Sequence, residues 1–258
     1  MPRLTVITGS ASGIGRALAD QLRARGEEVV GVDLRDADVL ADLATAEGRA
    51  AAVDAVRALG GGGVDALVTC AGVAEPSPLM VRINYFGTVE FVEALRPVLA
   101  ASPSPRVAVI GSISGTMGND ERTRVACLAG DEEAGVARAA ELTEAGRPHS
   151  IYPSTKAALA EWARRTAVAP GWADAGIALN VVAPGVVLTP MTTGLFEDPV
   201  MRELMDAAVP MPLNGYAPPE AVAAVLAFLV SEANTHVTGQ VVYVDGGAEV
   251  TQRPADLF

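Results

Sequence analysis

Two hydrophobic periodicities alternate along the chain. Short runs rich in Val, Ile and Leu fall at 4–8, 28–33, 38–41, 65–71, 106–112, 178–184 and 240–245. Runs this short and this apolar read as strands covered on both faces. Between most of them lie longer stretches with apolar residues three and four apart, at 13–25, 45–59, 84–100, 152–169 and 218–231, which predict amphipathic helices. Gly26 stops the first helix, and Pro218-Pro219-Glu220 opens the last in the style that proline permits at a first turn. Strand and helix in turn predict an α/β fold, a doubly wound, seven-stranded parallel sheet built as a single domain over 1–258. The glycine run at 60–63 is a flexible turn within that domain.

Two segments break the alternation. The first, 117–149, carries a charged helical piece from Asp131 to Glu141 and reads as an insertion. The second, 188–215, mixes Met191, Leu195, Phe196, Met201, Leu204, Met205, Val209 and Met211 with four prolines. An irregular apolar segment after a parallel strand is a candidate lid, and we expect Met191, Leu195, Phe196 and Met205 to line a substrate pocket.

Composition narrows the function. With 258 residues, half of them apolar, the chain can bury a full hydrophobic core. A formal net charge of -12 argues against a nucleic-acid partner, and no basic cluster offers a local exception. No stretch has transmembrane length, and the N-terminal residues run straight into a strand pattern without a signal segment. Cys70 and Cys127 are too few for a disulfide framework and lack metal-ligand spacing, so we expect a cytoplasmic protein without a catalytic metal.

The chemistry concentrates at two places. Thr8-Gly9-Ser10-Ala11-Ser12-Gly13-Ile14-Gly15 follows a strand and opens a helix. Gly9 and Gly13 let the turn tighten and the backbone approach a pyrophosphate, and Gly15 permits close helix packing, as in a Rossmann dinucleotide site. Eighteen residues after Gly15, at the end of the second strand, stands Asp33. A carboxylate there accepts hydrogen bonds from ribose hydroxyls and repels a 2′-phosphate, which favours NAD over NADP. The second place is Tyr152-Pro153-Ser154-Thr155-Lys156, where a phenol and an ammonium four residues apart share one helix face. A free phenol titrates near about 10, and lowering it by two or three units takes roughly 3 to 4 kcal/mol of stabilisation for the phenolate. A nearby ammonium and an oxidised nicotinamide would supply that field.

With the Gly9, Gly13, Gly15 spacing, Asp33, Cys70-Ala71-Gly72, Asn84, Ser112, Tyr152-x-x-x-Lys156 and Pro184-Gly185 in this order, the chain resembles the classical short-chain dehydrogenases/reductases over essentially its whole length. The stretches 33–39, 41–49 and 84–87, the insertion 117–149 and the ending after Asp245-Gly246-Gly247 are similar to a bacterial subfamily, the 3α-hydroxysteroid dehydrogenases/carbonyl reductases. Coniferyl-alcohol dehydrogenases are similar in the same places.

The resemblance implies roles. Ser112 would bind and polarise the substrate oxygen, with Ser114 its rival; Tyr152 would be the acid/base; Lys156 would hold the nicotinamide ribose and lower the Tyr152 pKa. Asn84 would help hold a water joining Lys156 to solvent. Ser12 and Ile14 would join the glycines on the cofactor, Leu34 would follow Asp33, and Asp42 and Leu43 would flank the adenine. Cys70, Ala71 and Gly72 would run along the ribose, Cys70 replacing a more usual Asn. Pro184, Gly185, Val187 and Thr189 would wrap the nicotinamide. The expected activity is NAD(H)-dependent interconversion of a secondary alcohol and ketone on an apolar cyclic substrate, a 3-hydroxysteroid foremost. An aryl alcohol dehydrogenase and a noncatalytic NAD(H)-sensing protein are the alternatives. The resemblance also implies a homodimer, because the insertion would cover one of the two surfaces used in the family's tetramers.

Overall fold

In the computed structural model, which describes residues 2–61, 63–194 and 198–253, the apolar runs form strands in the expected order. The first half comprises β1 (Leu4–Thr8), α1 (Gly13–Ala24), β2 (Glu28–Asp33), β3 (Val39–Leu40), α2 (Ala46–Leu59) and β4 (Ala66–Thr69). A π-helical turn (Val81–Phe86) then runs into α3 (Gly87–Leu99), followed by β5 (Arg106–Ile110) and a 3-10 turn (Ile113–Thr116). The second half comprises α4 (Glu121–Leu128), α5 (Glu132–Glu144), α6 (Ile151–Thr166), β6 (Ala178–Pro184), α7 (Pro199–Ala208), α8 (Pro219–Leu229), β7 (Val241–Val244) and α9 (Ala248–Gln252).

The strands pair in parallel in the order β3-β2-β1-β4-β5-β6-β7. Successive side chains on a strand point to opposite faces, so each strand feeds two cores. Val6, Leu67, Val107, Val109, Leu179 and Val181 face one side and pack with Val56 of α2, Leu95 of α3 and Leu159 of α6. Ile7, Val68, Ala108 and Val182 face the other and pack with Leu18 and Leu22 of α1 and Leu226 of α8. Nearly continuous apolar strands are what such double coverage requires. The strand order reverses across the β1–β4 pair, which opens a crevice at the carboxyl ends of these strands.

Three elements differ from the sequence pattern. β3 shrinks to two residues because Asp36 turns the chain into the left-handed region at φ 51 and the Asp38 carboxylate accepts the Gly31 N–H at 2.7 Å. The helix expected from residue 84 begins as the π-helical turn, and regular α geometry starts only at Gly87. Segment 188–215 is not wholly irregular: Asp198 accepts the Val200 N–H at 2.9 Å and Pro199 starts α7.

The insertion forms two helices, α4 and α5, packed on each other, on α6 and on the π-helical turn. Asp120 caps α4, accepting the Thr123 N–H at 2.9 Å, and pairs with Arg138 of α5 at 2.8 Å. The guanidinium holds the Asp120 carboxyl well below the usual carboxylate range. The Asp120 N–H donates to Ser154 Oγ at 2.8 Å, and that hydroxyl donates to the Ser150 carbonyl at 2.7 Å. The insertion is thus fastened to the helix that carries Tyr152.

Candidate active site

At the carboxyl ends of the strands lies a cleft of about 290 Å³. Its floor at one end is the loop between β1 and α1. Gly9 sits at φ 67, and a Cβ there would lie 2.6 Å from the Ala71 nitrogen. A Cβ on Gly15 would lie 2.2 Å from the Gly9 carbonyl oxygen, so neither position accepts a side chain without moving backbone. The loop is also held from β2: Asp33 Oδ2 accepts the Ala11 N–H at 3.0 Å and Oδ1 accepts the Leu34 N–H at 2.7 Å. Backbone and a bare glycine surface at the start of α1 make the cradle that a pyrophosphate needs, beside a carboxylate suited to ribose hydroxyls.

The other end holds the polar side chains. Ser112 ends the chain leaving β5 and accepts the Ser114 N–H at 3.1 Å. Gly115 lets this turn press on α6, since a Cβ there would stand 3.2 Å from the Lys156 carbonyl carbon. That approach brings Ser112 into hydrogen-bonding range of the Tyr152 hydroxyl. Ser114 lies in the 3-10 turn and does not line the cleft.

Lys156 is one helical turn from Tyr152, and its Nζ stands 5.6 Å from the Tyr152 ring centre and donates to the Ile110 carbonyl at 2.8 Å. Burial lowers the Lys156 ammonium to about 8, while nearby Cys70 acts the other way. Burial pushes the Tyr152 phenol up, opposed by its hydrogen bond to Ser112. In the protein by itself, therefore, desolvation outweighs activation at the phenol. Burial also pushes the Cys70 thiol up to about 12.

Asn84 is fully buried in the π-helical turn. Its Oδ1 accepts the Val73 N–H at 2.8 Å and its Nδ2 donates to the Val73 carbonyl at 2.9 Å. The side chain thus clamps the segment leaving β4.

The cleft collects Gly9, Ser12, Gly13, Ile14, Gly15, Asp33, Leu34, Asp42, Leu43, Cys70, Ala71, Gly72, Asn84, Ser112, Tyr152, Lys156, Pro184, Gly185, Val187 and Thr189, together with Met191 from segment 188–215. Leu195 and Phe196 lie outside the described residues. Met205 does not line the cleft; it packs on a small cluster of Ile113, Val186, Val209 and Ala248. Along α7 Met205 is partly buried, whereas Val200, Met201 and Leu204 are exposed. Sequence reasoning missed Val32, Ala41, Val73, Ile83, Ile110 and Thr192 on the cleft wall. Their signal was their position, each at or near a strand end or a motif residue. Among the described residues no cluster of three His, Cys, Asp or Glu side chains could hold a metal ion, and no helix is long and apolar enough to cross a membrane.

Comparison with known proteins finds relatives along the whole chain. The family described as short chain dehydrogenase matches residues 3–124, and that described as Enoyl-(Acyl carrier protein) reductase matches residues 135–249. The 3-alpha-hydroxysteroid dehydrogenase/carbonyl reductase of Comamonas testosteroni is 37% identical over 258 residues, 98% of this chain and 99% of the relative. A cis-4-hydroxycyclohexanecarboxylate dehydrogenase of Sinomonas cyclohexanicum is 33% identical, covering 95% of this chain and 96% of the relative. Among solved structures, the 3-alpha-hydroxysteroid dehydrogenase of Pseudomonas sp. B-0831 complexed with NADH superposes with a TM-score of 0.91 at 40% identity, covering 99% of this chain and 100% of that one. With full-length matches above 30% identity and a parallel sheet wound in the same way, the chain belongs to the short-chain dehydrogenase/reductase family of oxidoreductases.

Proposed function

We propose that the protein is an NAD(H)-dependent dehydrogenase that interconverts a secondary alcohol and a ketone on an apolar ring, with a 3-hydroxysteroid as substrate. The observation that carries this reading is the meeting of Ser112, Tyr152 and Lys156 at one end of a cleft whose other end is a glycine cradle beside Asp33. The substrate class is supported by two relatives, one named for a 3-hydroxysteroid and the other for a hydroxycyclohexanecarboxylate. It is also supported by the exposed apolar side chains of Met191, Val200, Met201 and Leu204 beside or beyond the cleft. We assign segment 188–215 as the lid that covers such a ring, with Met191 on the cleft side.

When bound, the nicotinamide accepts or returns the hydride. In the oxidative direction Tyr152 takes the hydroxyl proton while hydride leaves the carbon, and Ser112 holds the oxygen that becomes the carbonyl. Lys156 supplies positive charge beside the phenol and is a station on the proton's exit. Asn84 fixes the segment leaving β4 through Val73 and so sets the wall of that route. At the cradle end, a 2′-phosphate would meet the fixed Asp33 carboxylate, a like-charge approach in a partly dry site.

The insertion lies over α6 and the π-helical turn, the surface that family tetramers use. That leaves α8, with Phe228 exposed, and the edge strand β7 for a closed two-fold contact. We assign a homodimer on that basis.

Four outcomes test these readings. Steroid ketones and cinnamyl-type aldehydes, offered side by side with NADH, should give turnover with the steroids first, and Tyr152→Phe should bind NADH yet lose about 1,000- to 10,000-fold in rate. No turnover with any of these would instead indicate a sensor, and preference for cinnamyl substrates an aryl alcohol dehydrogenase. Asp33→Ala should relax a strong NADH preference, measured as the ratio of kcat/KM for the two cofactors; a wild-type preference for NADPH would refute the role given to Asp33. Because burial depresses Lys156 from 10.5 to about 8, the unfolded chain holds more protons between those values, and this residue's contribution to stability rises with pH across that window. Lys156→Met should therefore be more stable than the parent at pH 7, with the difference shrinking from about pH 8 to about pH 10.5 in denaturant titrations. Light scattering at micromolar concentration should give the mass of two chains; four would show that the insertion rebuilds a tetramer contact.

A further inference from the structure

A buried cation lies outside the catalytic group. The Arg49 side chain, near the start of α2, is only 4% exposed. A guanidinium so placed is tolerated only when its donors are matched. Its Nε donates to Glu90 Oε2 of α3 at 2.7 Å, and its Nη2 donates to Glu132 Oε2 of α5 at 2.7 Å. Its Nη1 donates to the Leu43 carbonyl at 3.2 Å. The second oxygen of Glu132 accepts Arg82 Nη1 at 3.0 Å. Arg82 belongs to the π-helical turn, two residues before Asn84.

One carboxylate of the insertion therefore joins two walls of the cleft. Through Arg49 it reaches the loop that carries Asp42 and Leu43; through Arg82 it reaches the turn whose Asn84 clamps Val73. The first wall has little slack. A Cβ on Gly87 would lie 2.9 Å from the Leu43 carbonyl oxygen, and one on Gly48 would lie 2.0 Å from the Asp42 carbonyl oxygen. The Asp42 carboxylate itself accepts the Ala44 N–H at 2.9 Å. Close packing fixes the loop from α2 and α3, and the Arg49 hydrogen bond sets the direction of the Leu43 carbonyl. Without Glu132, Arg49 would lose a charged partner while buried and would turn toward Glu90, which is 48% exposed.

We infer that Glu132 is a positioning residue for cofactor binding, holding Arg49 on the Leu43 carbonyl so that the Asp42-Leu43 edge is preformed for the adenosine half of the dinucleotide. This rests on the assignment of the cleft to NAD(H). Preorganised loops bind more tightly because the ordering cost is met before the ligand arrives. Ser112 and Lys156 bond to Ser114 and Ile110, outside this network, and Asn84 is held on Val73 by two hydrogen bonds of its own, so the effect should fall on affinity and leave the rate at saturation unchanged.

The test is titration of NADH and of ADP-ribose, which has the adenosine half and no nicotinamide, into the intact protein and three variants. Glu132→Ala and the isosteric Glu132→Gln should weaken both ligands by the same factor, roughly three- to tenfold, through loss of loop preorganisation. The kcat and the KM for ketone should stay at wild-type values. Glu141→Gln, which cuts a different ion pair of the insertion to Arg138 and Arg122, should leave both affinities unchanged. If Glu132→Ala does not fold, Glu132→Gln carries the test, since it keeps size and shape. Affinities within twofold of the parent in the Glu132 variants, or an equal loss in Glu141→Gln, would overturn the inference while leaving the cofactor assignment intact. A parent that binds neither ligand would overturn both.

Discussion

The working end of this molecule depends on one close approach, between the backbone leaving β1 and the backbone leaving β4. At Gly9 the two chains pass so near that a single added carbon would collide with Ala71, and the Ala71 N–H donates to Thr8 Oγ1 at 3.2 Å across the same gap. Because β1 and β4 are neighbours in the sheet but their connections run to opposite faces, the contact holds the base of the crevice shut while its mouth stays open. The start of α1 and the segment clamped by Asn84 adjoin that pinch, and the Asp33 carboxylate holds the same loop through the Ala11 N–H.

The insertion supplies a second frame around the first. At the tyrosine end, the Asp120 N–H fixes Ser154 on the buried side of α6, and Arg138 fixes Asp120. At the opposite end, Glu132 gathers Arg49 and Arg82. Arg49 and Asp120 have little exposure to water, where a lost partner is felt more than at the surface. Charges of both signs are buried, Arg49, Arg106 and Lys156 among the cations and Asp120 and Asp245 among the acids. Glu132 meets Arg49, whereas Lys156 meets a backbone carbonyl, and burial lowers its ammonium.

How much of this was legible in the sequence depended on whether the signal was local. Doubly covered strands announce themselves as unbroken apolar runs, and the glycine loop and Tyr152/Lys156 pair have fixed spacings, so these parts could be read directly. β3 was read too long, because Asp38, just before it, turns its side chain onto a different strand and accepts the Gly31 N–H. α7 was legible in principle, through Asp198 followed by Pro199, yet the prolines around it suggested irregular chain. The helix α4 was missed since its apolar face is weak and its stability comes from the Asp120 cap and its packing on α6. The side-chain role of Asn84 on Val73 joins residues eleven apart through a turn of π geometry, which no periodicity reveals.

Cys70 stands where an asparagine is more usual in the family the chain resembles, inside the cleft and close to Lys156. The nucleophile in thiol chemistry is the thiolate, and burial holds this thiol at about 12. With its thiol form favoured, Cys70 serves as wall: it lines the cleft beside Ala71 and Gly72 and packs on the apolar layer that holds Ile7, Leu18 and Val68.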